Sequence, residues 1–211
     1  MERSRLVVLV SGSGSNLQAI LDATATGALH GDVVAVVSNR TDAYGLDRAR
    51  RAGVDTVEIE RSDGEARHDY DERLAHAVAG YDPDWVILAG WMRLLTMTFL
   101  ARFPDRVVNL HPALPGDLPG THAIERAWEE ACAGHRTESG VMVHLVPDEG
   151  VDDGPVLATS RVPIDTSGTL EAFEARMHAT EHRLLVDTLT QICTRQPTPT
   201  QPDRLHSKDM P

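Results

Sequence analysis

Short stretches rich in apolar residues recur through the first half of the chain. They occupy residues 6–10, 33–37, 54–59, 85–88 and 106–109. The first, Leu6–Val10, is wholly apolar, which is typical of a strand covered on both faces of a sheet. Helical spacing of apolar residues follows Ser15 and recurs over Asp42–Ala52 and Arg67–Val78, and Trp91–Phe103 bridges the last two strands. This alternation predicts right-handed crossovers and a mainly parallel sheet with helices on both faces.

The pattern changes after residue 111. A loop rich in proline and glycine (112–120) leads to a helix predicted over Ala123–Cys132. Two strands, at 141–146 and 156–162, are joined by an acidic loop, and a helix is predicted over 168–191. These strands predict an antiparallel or mixed second part of the sheet. We therefore predict one α/β domain over residues 1–193 and a polar, proline-containing tail over 194–211.

Charge and cysteine content narrow the class of protein. The formal net charge of -12 argues against a nucleic-acid or membrane-surface binder, which would present a basic face. The two cysteines, Cys132 and Cys193, are far apart in sequence, and no long apolar segment follows the start. These features predict a cytoplasmic protein with small-molecule substrates. The sequence has no HExxH motif and no close His/Cys cluster, so we predict no metal site.

Asn109-Leu110-His111 is the tripeptide with the clearest chemical meaning. It ends an apolar run, and residues two apart in a strand point to the same face. A carboxamide beside an imidazole can stabilise an oxygen that becomes negative and can move protons near neutral pH. The alternative interpretation is a strand end with a turn-capping asparagine and an incidental histidine.

The segment SGSGSN (11–16) lies between a strand and a helix, where a phosphate can bind to backbone N–H groups. Leu17 stands where a dinucleotide fingerprint has its third glycine. A mononucleotide or a sugar phosphate is therefore favoured over NAD. Ser15 and Gln18 have the spacing of a capping box. The alternative is a plain strand-to-helix turn.

Glu181 interrupts an apolar helix face formed by Phe173, Met177 and Leu185. A carboxylate in such a place is costly unless it binds a ligand or pairs with a cation, so the sequence allows either a ligand contact or a buried ion pair with an arginine. Arg67 raises the same question, and a surface arginine lying along the helix is the simpler interpretation.

His144 alternates inward on its predicted strand, either as a hydrogen-bonded core histidine or as a catalytic one. The acidic loop carries Asp148, Glu149, Asp152 and Asp153. Its carboxylates could orient His111, or they could form a solvated or calcium-like turn.

Seven segments, in order from Leu6 to about Ile192, together resemble the phosphoribosylglycinamide formyltransferase family. They are LVVLVSGSGSNLQAILDA, VVSNRTDAYGLDRARRAGV, ILAGWMRLLT, VVNLHPALP, PGTHAIERA, VHLVPDEGVDDGPVL and ATEHRLL. The resemblance implies a Rossmann-like formyltransferase fold. It also implies formyl transfer from 10-formyltetrahydrofolate, a co-substrate, to glycinamide ribonucleotide in purine biosynthesis. The half at about 1–105 would bind the ribonucleotide, and the half at about 106–193 would bind folate and carry the catalytic residues.

The resemblance also implies roles for individual residues. The catalytic group would be Asn109, His111 and Asp152. The ribonucleotide would contact Gly14, Ser15, Asn16, His178, Ala179, Thr180 and Glu181. The folate would contact Arg67, Met92, Arg93, Leu94, Leu95, Asn109, Asp148, Glu149, Gly150, Val151 and Asp152. In this scheme Asp152 would orient His111 and favour its charged form.

Two positions depart from the family pattern. Family members often read HPxLLPxxPG after the histidine, whereas here Pro115 comes one position early and Gly116 follows it. Asp153 replaces a small residue, so either aspartate could partner His111, and we predict Asp152. A formyltetrahydrofolate hydrolase, a sugar-amine formyltransferase and a non-catalytic nucleotide-binding module are the rival functions. A methionyl-tRNA formyltransferase is disfavoured because no basic C-terminal domain follows, and the sequence leaves monomer and homodimer open.

Overall fold

The apolar stretches of the first half form five parallel strands in a computed structural model that describes residues 2–194. The strands are β1 Ser4–Val10, β2 Gly31–Ser38, β3 Asp55–Glu58, β4 Trp85–Leu88 and β5 Val107–His111. Their order is β3-β2-β1-β4-β5. The strand order therefore reverses at β1: β2 and β3 extend the sheet to one side of β1, and β4 and β5 extend it to the other.

The second half adds two antiparallel strands to the free side of β5. They are β6, Glu138–Leu145, and β7, Val156–Pro163. The sheet is thus mixed and seven-stranded, which confirms the predicted fold class. In the β5–β6 pairing, Asn109 lies opposite His144 and His111 lies opposite Met142. The register of β6 against β7 shifts between Val143 and His144, an irregularity typical of functional sheet ends.

Within residues 2–194, six helices cover the two faces of the sheet. They are α1 Ser15–Thr26, α2 Tyr44–Arg51, α3 Arg67–Ala79, α4 Met97–Leu100, α5 Ala123–Cys132 and α6 Leu170–Thr194. Alternate residues of β1 divide between two cores, with Leu6 and Val8 on one face and Val7 and Leu9 on the other. The first face packs against α1, α2, α5 and α6, and the second packs against α3 and α4. Burial on both faces explains the wholly apolar run in β1.

Some local predictions were wrong. The residue that caps α1 is Gly14, with a left-handed φ of 68° and no side-chain cap, so the Ser15–Gln18 capping box does not form. Gln18 instead donates to Asp22 and accepts from Arg48. Thr194 is the last residue of α6 rather than the first of a tail, and the rest of the predicted tail lies outside the described residues. One continuous sheet runs through both predicted halves, and their division by function stays a prediction.

Candidate active site

A cavity of about 760 Å³ opens at the carboxyl ends of the parallel strands. Ligands of open α/β sheets bind at this edge, where the strand order reverses. Its walls come from the segments 11–16, 88–95, 109–112, 120–125 and 148–152, with His144, Val146, His178 and Glu181. Most of the predicted site residues therefore meet in one cavity, although they come from distant parts of the sequence.

The SGSGSN loop forms one wall of this cavity through its backbone. A Cβ on Gly14 would lie only 2.6 Å from the Cα of Gly45, so glycine permits the close approach of α1 and α2. Arg48 holds the loop by donating from Nε to the Ser13 carbonyl over 2.8 Å. The first N–H groups of a helix have no partners within that helix, and no side chain caps α1. This geometry is typical of a phosphate site.

Glu181 borders the cavity from α6 and is only 5% exposed. Its Oε2 accepts a hydrogen bond from Asn16 Nδ2 at 3.2 Å and lies 3.0 Å from Nδ1 of His178. These are its partners among the described residues, so the alternative of a buried ion pair with an arginine was wrong. The hydrogen bond with Glu181 raises the pKa of His178. Ala179 and Thr180 do not line the cavity, and Thr180 donates its hydroxyl to the Arg176 carbonyl.

Exposed apolar side chains line another part of the cavity. Met92 and Leu94 are 66% and 51% exposed, and Val151 also faces solvent, whereas Leu95 is buried. The segment is fixed at its start because the Met92 N–H donates to Ser11 Oγ over 2.9 Å. Apolar side chains left uncovered in a cavity indicate a place for a planar or aliphatic ligand.

Arg67 lies outside the main cavity. With Arg93, Leu94 and Tyr70 it lines a smaller adjoining cavity of about 270 Å³. The exposed Arg67 side chain donates from Nε to the Leu94 carbonyl over 3.3 Å. Leu94 and Arg93 border both cavities, so a ligand that passed over them could reach Arg67. The role of Arg67 in folate binding stays a prediction.

The acidic loop 148–152 is anchored at both ends. Glu149 Oε1 accepts from the Met97 N–H at 3.0 Å, which ties the loop to the start of α4. Asp148 accepts from the Gly150 N–H, and Asp152 adopts a left-handed φ of 56°. A non-glycine residue in that conformation is uncommon and is held by its surroundings. The loop thus turns Asp152 inward while Asp153 stays exposed.

Asp152 connects the two residues of the strand motif. Its Oδ2 lies 3.3 Å from Nδ1 of His111, and its Oδ1 accepts from Asn109 Nδ2 at 3.1 Å. The Gly120 N–H also donates to Oδ2, over 2.9 Å. Asp152, and not Asp153, is therefore the aspartate in contact with His111. The calcium-like turn is not needed to explain this carboxylate, because protein donors satisfy it.

His144 belongs to the same cluster. It is buried, and its Nδ1 lies 2.8 Å from the Leu145 carbonyl while its Nε2 lies 3.1 Å from Asn109 Nδ2. A carbonyl oxygen only accepts, so we place the proton of His144 on Nδ1, which leaves Nε2 to accept from Asn109. Both N–H groups of the Asn109 carboxamide are then engaged, one with Asp152 and one with His144. A substrate oxygen must take over one of them.

Burial determines the protonation state of His111. The side chain is 4% exposed, and burial lowers its pKa more than Asp152 and the Leu118 carbonyl raise it. Asp152 does favour the charged form of His111, as the sequence predicts, but desolvation of the buried ring outweighs that contribution. At rest near pH 7 the imidazole is neutral and can accept a proton. Burial would raise the pKa of Asp152, but His144, Gly120 and His111 lower it below its usual value, so Asp152 is ionised.

A sequence profile of the family described as "Formyl transferase" matches residues 4–189. The chain belongs to the formyl transferase family. The match confirms the prediction of an enzyme of this family, and it covers every residue of the cavity wall.

Curated relatives and solved structures in this family are similar over most of their length. A phosphoribosylglycinamide formyltransferase of Schizosaccharomyces pombe is 45% identical over 90% of this chain and 97% of its own. A protein of the same name in Escherichia coli is 42% identical over 85% of this chain and 82% of its own. The crystal structure of glycinamide ribonucleotide transformylase 1 from Symbiobacterium toebii superposes with a TM-score of 0.85, at 40% identity, over 92% of this chain and 89% of that one.

Backbone groups of this family member carry contacts that residue types could not reveal. The Leu118 carbonyl accepts from His111, and the Gly120 N–H binds Asp152. His144 was recognised only as inward-facing, because the register of β5 against β6 is set across a long connection rather than a short turn. The contact between His144 and Asn109 follows from the register of β5 against β6, which the sequence does not give.

Residues 2–194 also bear on metal binding and on membrane insertion. No three histidine, cysteine or acidic side chains of that range are placed together as metal ligands would be. In the same range, each helix is too short or too polar to cross a membrane.

Proposed function

We propose that the chain transfers the formyl group of 10-formyltetrahydrofolate to the amine of glycinamide ribonucleotide in purine biosynthesis. The observation that carries this proposal is the Asn109, His111 and Asp152 cluster in one cavity with the SGSGSN loop. The names of the relatives support the acceptor, because those at 45% and 42% identity are phosphoribosylglycinamide formyltransferases.

The ribonucleotide phosphate would bind the N–H groups of Gly14, Ser15 and Asn16, where the start of α1 favours an anion. Glu181, held by Asn16 and His178, would accept hydrogen bonds from ribose hydroxyls or from the amine. Ala179 and Thr180 would support that helix turn from outside the cavity.

The folate would lie against Met92, Arg93, Leu94 and Leu95, whose apolar groups supply a surface for a planar ring. The acidic loop, from Asp148 through Glu149, Gly150 and Val151 to Asp152, would close over it with polar groups. Arg67 would meet the part of the folate that passes beyond Leu94.

Neutral His111 acts first as a base. Its Nε2–H donates to the Leu118 carbonyl over 3.0 Å, so the lone pair that accepts a proton is on Nδ1, the nitrogen that faces Asp152. The amine nitrogen attacks the formyl carbon, the carbonyl electrons move to oxygen, and the amine proton goes to Nδ1. Asp152, 3.3 Å from Nδ1, stabilises the imidazolium that forms.

Asn109 supplies the oxyanion contact when one of its N–H groups turns from Asp152 or His144 to the new negative oxygen. The tetrahedral carbon then re-forms its carbonyl and breaks its bond to the folate nitrogen. That nitrogen takes the proton from His111, which returns to its neutral form. Protons and electrons balance within these residues and the two substrates.

The test is an assay of the full-length protein with 10-formyltetrahydrofolate, with and without glycinamide ribonucleotide. Folate release that requires the ribonucleotide, with formylated ribonucleotide as product, supports the proposal. Release without the ribonucleotide would replace it with a hydrolase. Release only with an amino sugar would indicate a sugar-amine formyltransferase, and no release in any mixture would favour a binding module.

A further inference from the structure

The carbonyl oxygen of Leu118 serves two cationic or polar donors at once. Nε2 of His111 lies 3.0 Å from it, and Nη2 of Arg126, from the first turn of α5, lies 2.9 Å from it. The same Nη2 also donates to the Pro119 carbonyl over 2.8 Å. One guanidinium thus holds two consecutive carbonyls beside the proposed base.

We propose that Arg126 is a positioning residue of the active site: it holds the Leu118 carbonyl against Nε2 of His111 and so directs Nδ1 toward Asp152. A carbonyl oxygen can accept a hydrogen bond but cannot donate one, so Nε2 carries a proton while it faces Leu118. Arg126 itself does not touch His111. The expected effect of Arg126 on turnover rests on the proposed function, whereas its effect on the position of His111 does not.

The loop needs such a contact because its backbone is strained at this point. Leu118 has a left-handed φ of 43°, between Gly116 and Gly120, whose φ values are 75° and 81°. Left-handed φ is unfavourable for a leucine, so the conformation persists only where neighbours hold it. The loop lies where the sequence departs from the family pattern, so its fixation in this chain cannot be assumed from relatives.

A second arginine holds the other side of the loop. Arg136 binds both carboxylate oxygens of Asp117, over 2.5 and 2.7 Å, and also contacts Glu130. This pair secures the loop to the end of α5 and the start of β6 without contact to His111. Within residues 2–194, Arg126 is the arginine that donates to the carbonyl used by the imidazole, so the two arginines have different roles.

Charged or titratable groups from three elements face His111. Asp152 comes from the acidic loop, His144 from β6 and Arg126 from α5. Burial lowers the pKa of His111 most. Asp152 and the hydrogen bond to the Leu118 carbonyl raise it, and Arg126 lowers it by less than that hydrogen bond raises it. Loss of Arg126 should free the Leu118 carbonyl and loosen the orientation of the ring. The hydrogen bond to that carbonyl raises the pKa of His111 more than the Arg126 charge lowers it, so the pKa should fall.

The test compares Arg126→Gln and Arg126→Lys with the wild-type protein by NMR titration of the His111 ring and by steady-state kinetics. Glutamine retains an N–H donor without the charge, and lysine retains the charge without the planar fork. We expect Arg126→Gln to lower the pKa of His111, because the hydrogen bond to the Leu118 carbonyl is lost, and to lower kcat about tenfold, because the base is misplaced, with both KM values within about threefold. Arg126→Lys should leave the pKa closer to wild type and lower kcat less.

Arg102→Gln, on an exposed arginine that lines neither cavity, is the matched control and should change neither quantity. The proposal is overturned if Arg126→Gln leaves the His111 pKa and kcat at wild-type values. The proposal is also overturned if the variant has a lower melting temperature and higher KM values but an unchanged His111 pKa and kcat, since that is a purely structural effect. If the wild-type protein transfers no formyl group, the proposed function fails, while the NMR comparison still decides the link from Arg126 to His111.

Discussion

The cavity has two kinds of wall, and they are built in different ways. The SGSGSN loop takes its shape from the backbone: Gly14 packs against Gly45, and helix α1 begins at the next residue, Ser15. The cluster around His111 takes its shape from side chains of sequence-distant segments, since Asp152 and His144 join it from beyond residue 140. The first wall is local and suited to binding a common group, the phosphate. The second is assembled by the tertiary fold and is suited to chemistry.

This difference predicts separable defects. Substitutions in the His111 cluster should lower turnover with little effect on ribonucleotide binding. Substitutions at the loop should weaken binding and stability more than the chemical step. Four changes, in order of expected effect, test this separation.

His111→Ala removes the proposed base and should cause the largest loss. General acid–base catalysis typically contributes about 10²–10⁴ in rate, so kcat should fall by about that factor while the fold is retained. Circular dichroism and steady-state kinetics check both points. His76→Ala, on an exposed face of α3, is the control and should be fully active. Turnover at the parent rate in the His111 variant would contradict its role.

Asp152→Asn should lower kcat about 10²-fold, because the imidazolium loses its counter-charge while an isosteric side chain remains. The pH profile should also move. The neutral form of His111 is the active base, so activity is lost as pH falls through its pKa, which burial places below the ordinary 6.5. Without the Asp152 charge that pKa falls further, and the acidic limb of kcat/KM shifts to lower pH.

Asp153→Asn is the matched control for this change, because Asp153 is the exposed neighbour in the same loop. It should leave both kcat and the acidic limb unchanged. Equal losses in the two variants, or an acidic limb above pH 6.5 in the wild-type protein, would count against the assignment of Asp152 and His111.

Gly14→Ala should affect the other wall. Its φ of 68° and the 2.6 Å approach to Gly45 leave no room for a methyl group. We expect unfolding free energy to fall by about 1–3 kcal/mol, and the KM for ribonucleotide to rise more than kcat falls. Gly80→Ala, where φ is −60° and contacts are ordinary, is the control for both. A Gly14 variant with normal KM and reduced kcat would break the proposed separation.

Glu181→Gln should give the smallest stability effect. The raised pKa of His178 contributes stability that is fully present below its ordinary pKa of 6.5 and is lost as pH rises through the folded value. The wild-type advantage over the variant should therefore be larger at pH 5.5 than at pH 8.5. It should stay below about 1 kcal/mol, since His178 is half exposed. Urea titrations at the two pH values measure it, and an advantage that grows with pH would contradict the pairing.

The sequence predicts the fold well where signals are local. The wholly apolar β1, the glycine loop and the Asn109–His111 spacing are all read within a few residues, and all lie where expected. The face shared by Phe173, Met177, Glu181 and Leu185 is buried as its spacing indicates.

The rest depended on tertiary structure. The partner of Glu181 is Asn16, 165 positions away, and no local pattern specifies that contact. The protonation state of His111 reflects how deeply the ring is buried, which residue types do not encode. The contribution of Arg126 passes through a backbone carbonyl, and every residue has one.

The most direct test of the whole account is the dissociation constant of glycinamide ribonucleotide for His111→Ala, measured by calorimetry beside that of the wild-type protein. If phosphate and ribose are bound by a wall that the base does not help to build, the two constants should agree within about threefold although turnover is nearly lost. A constant weakened in parallel with turnover would contradict the division of the cavity into a binding wall and a chemical one.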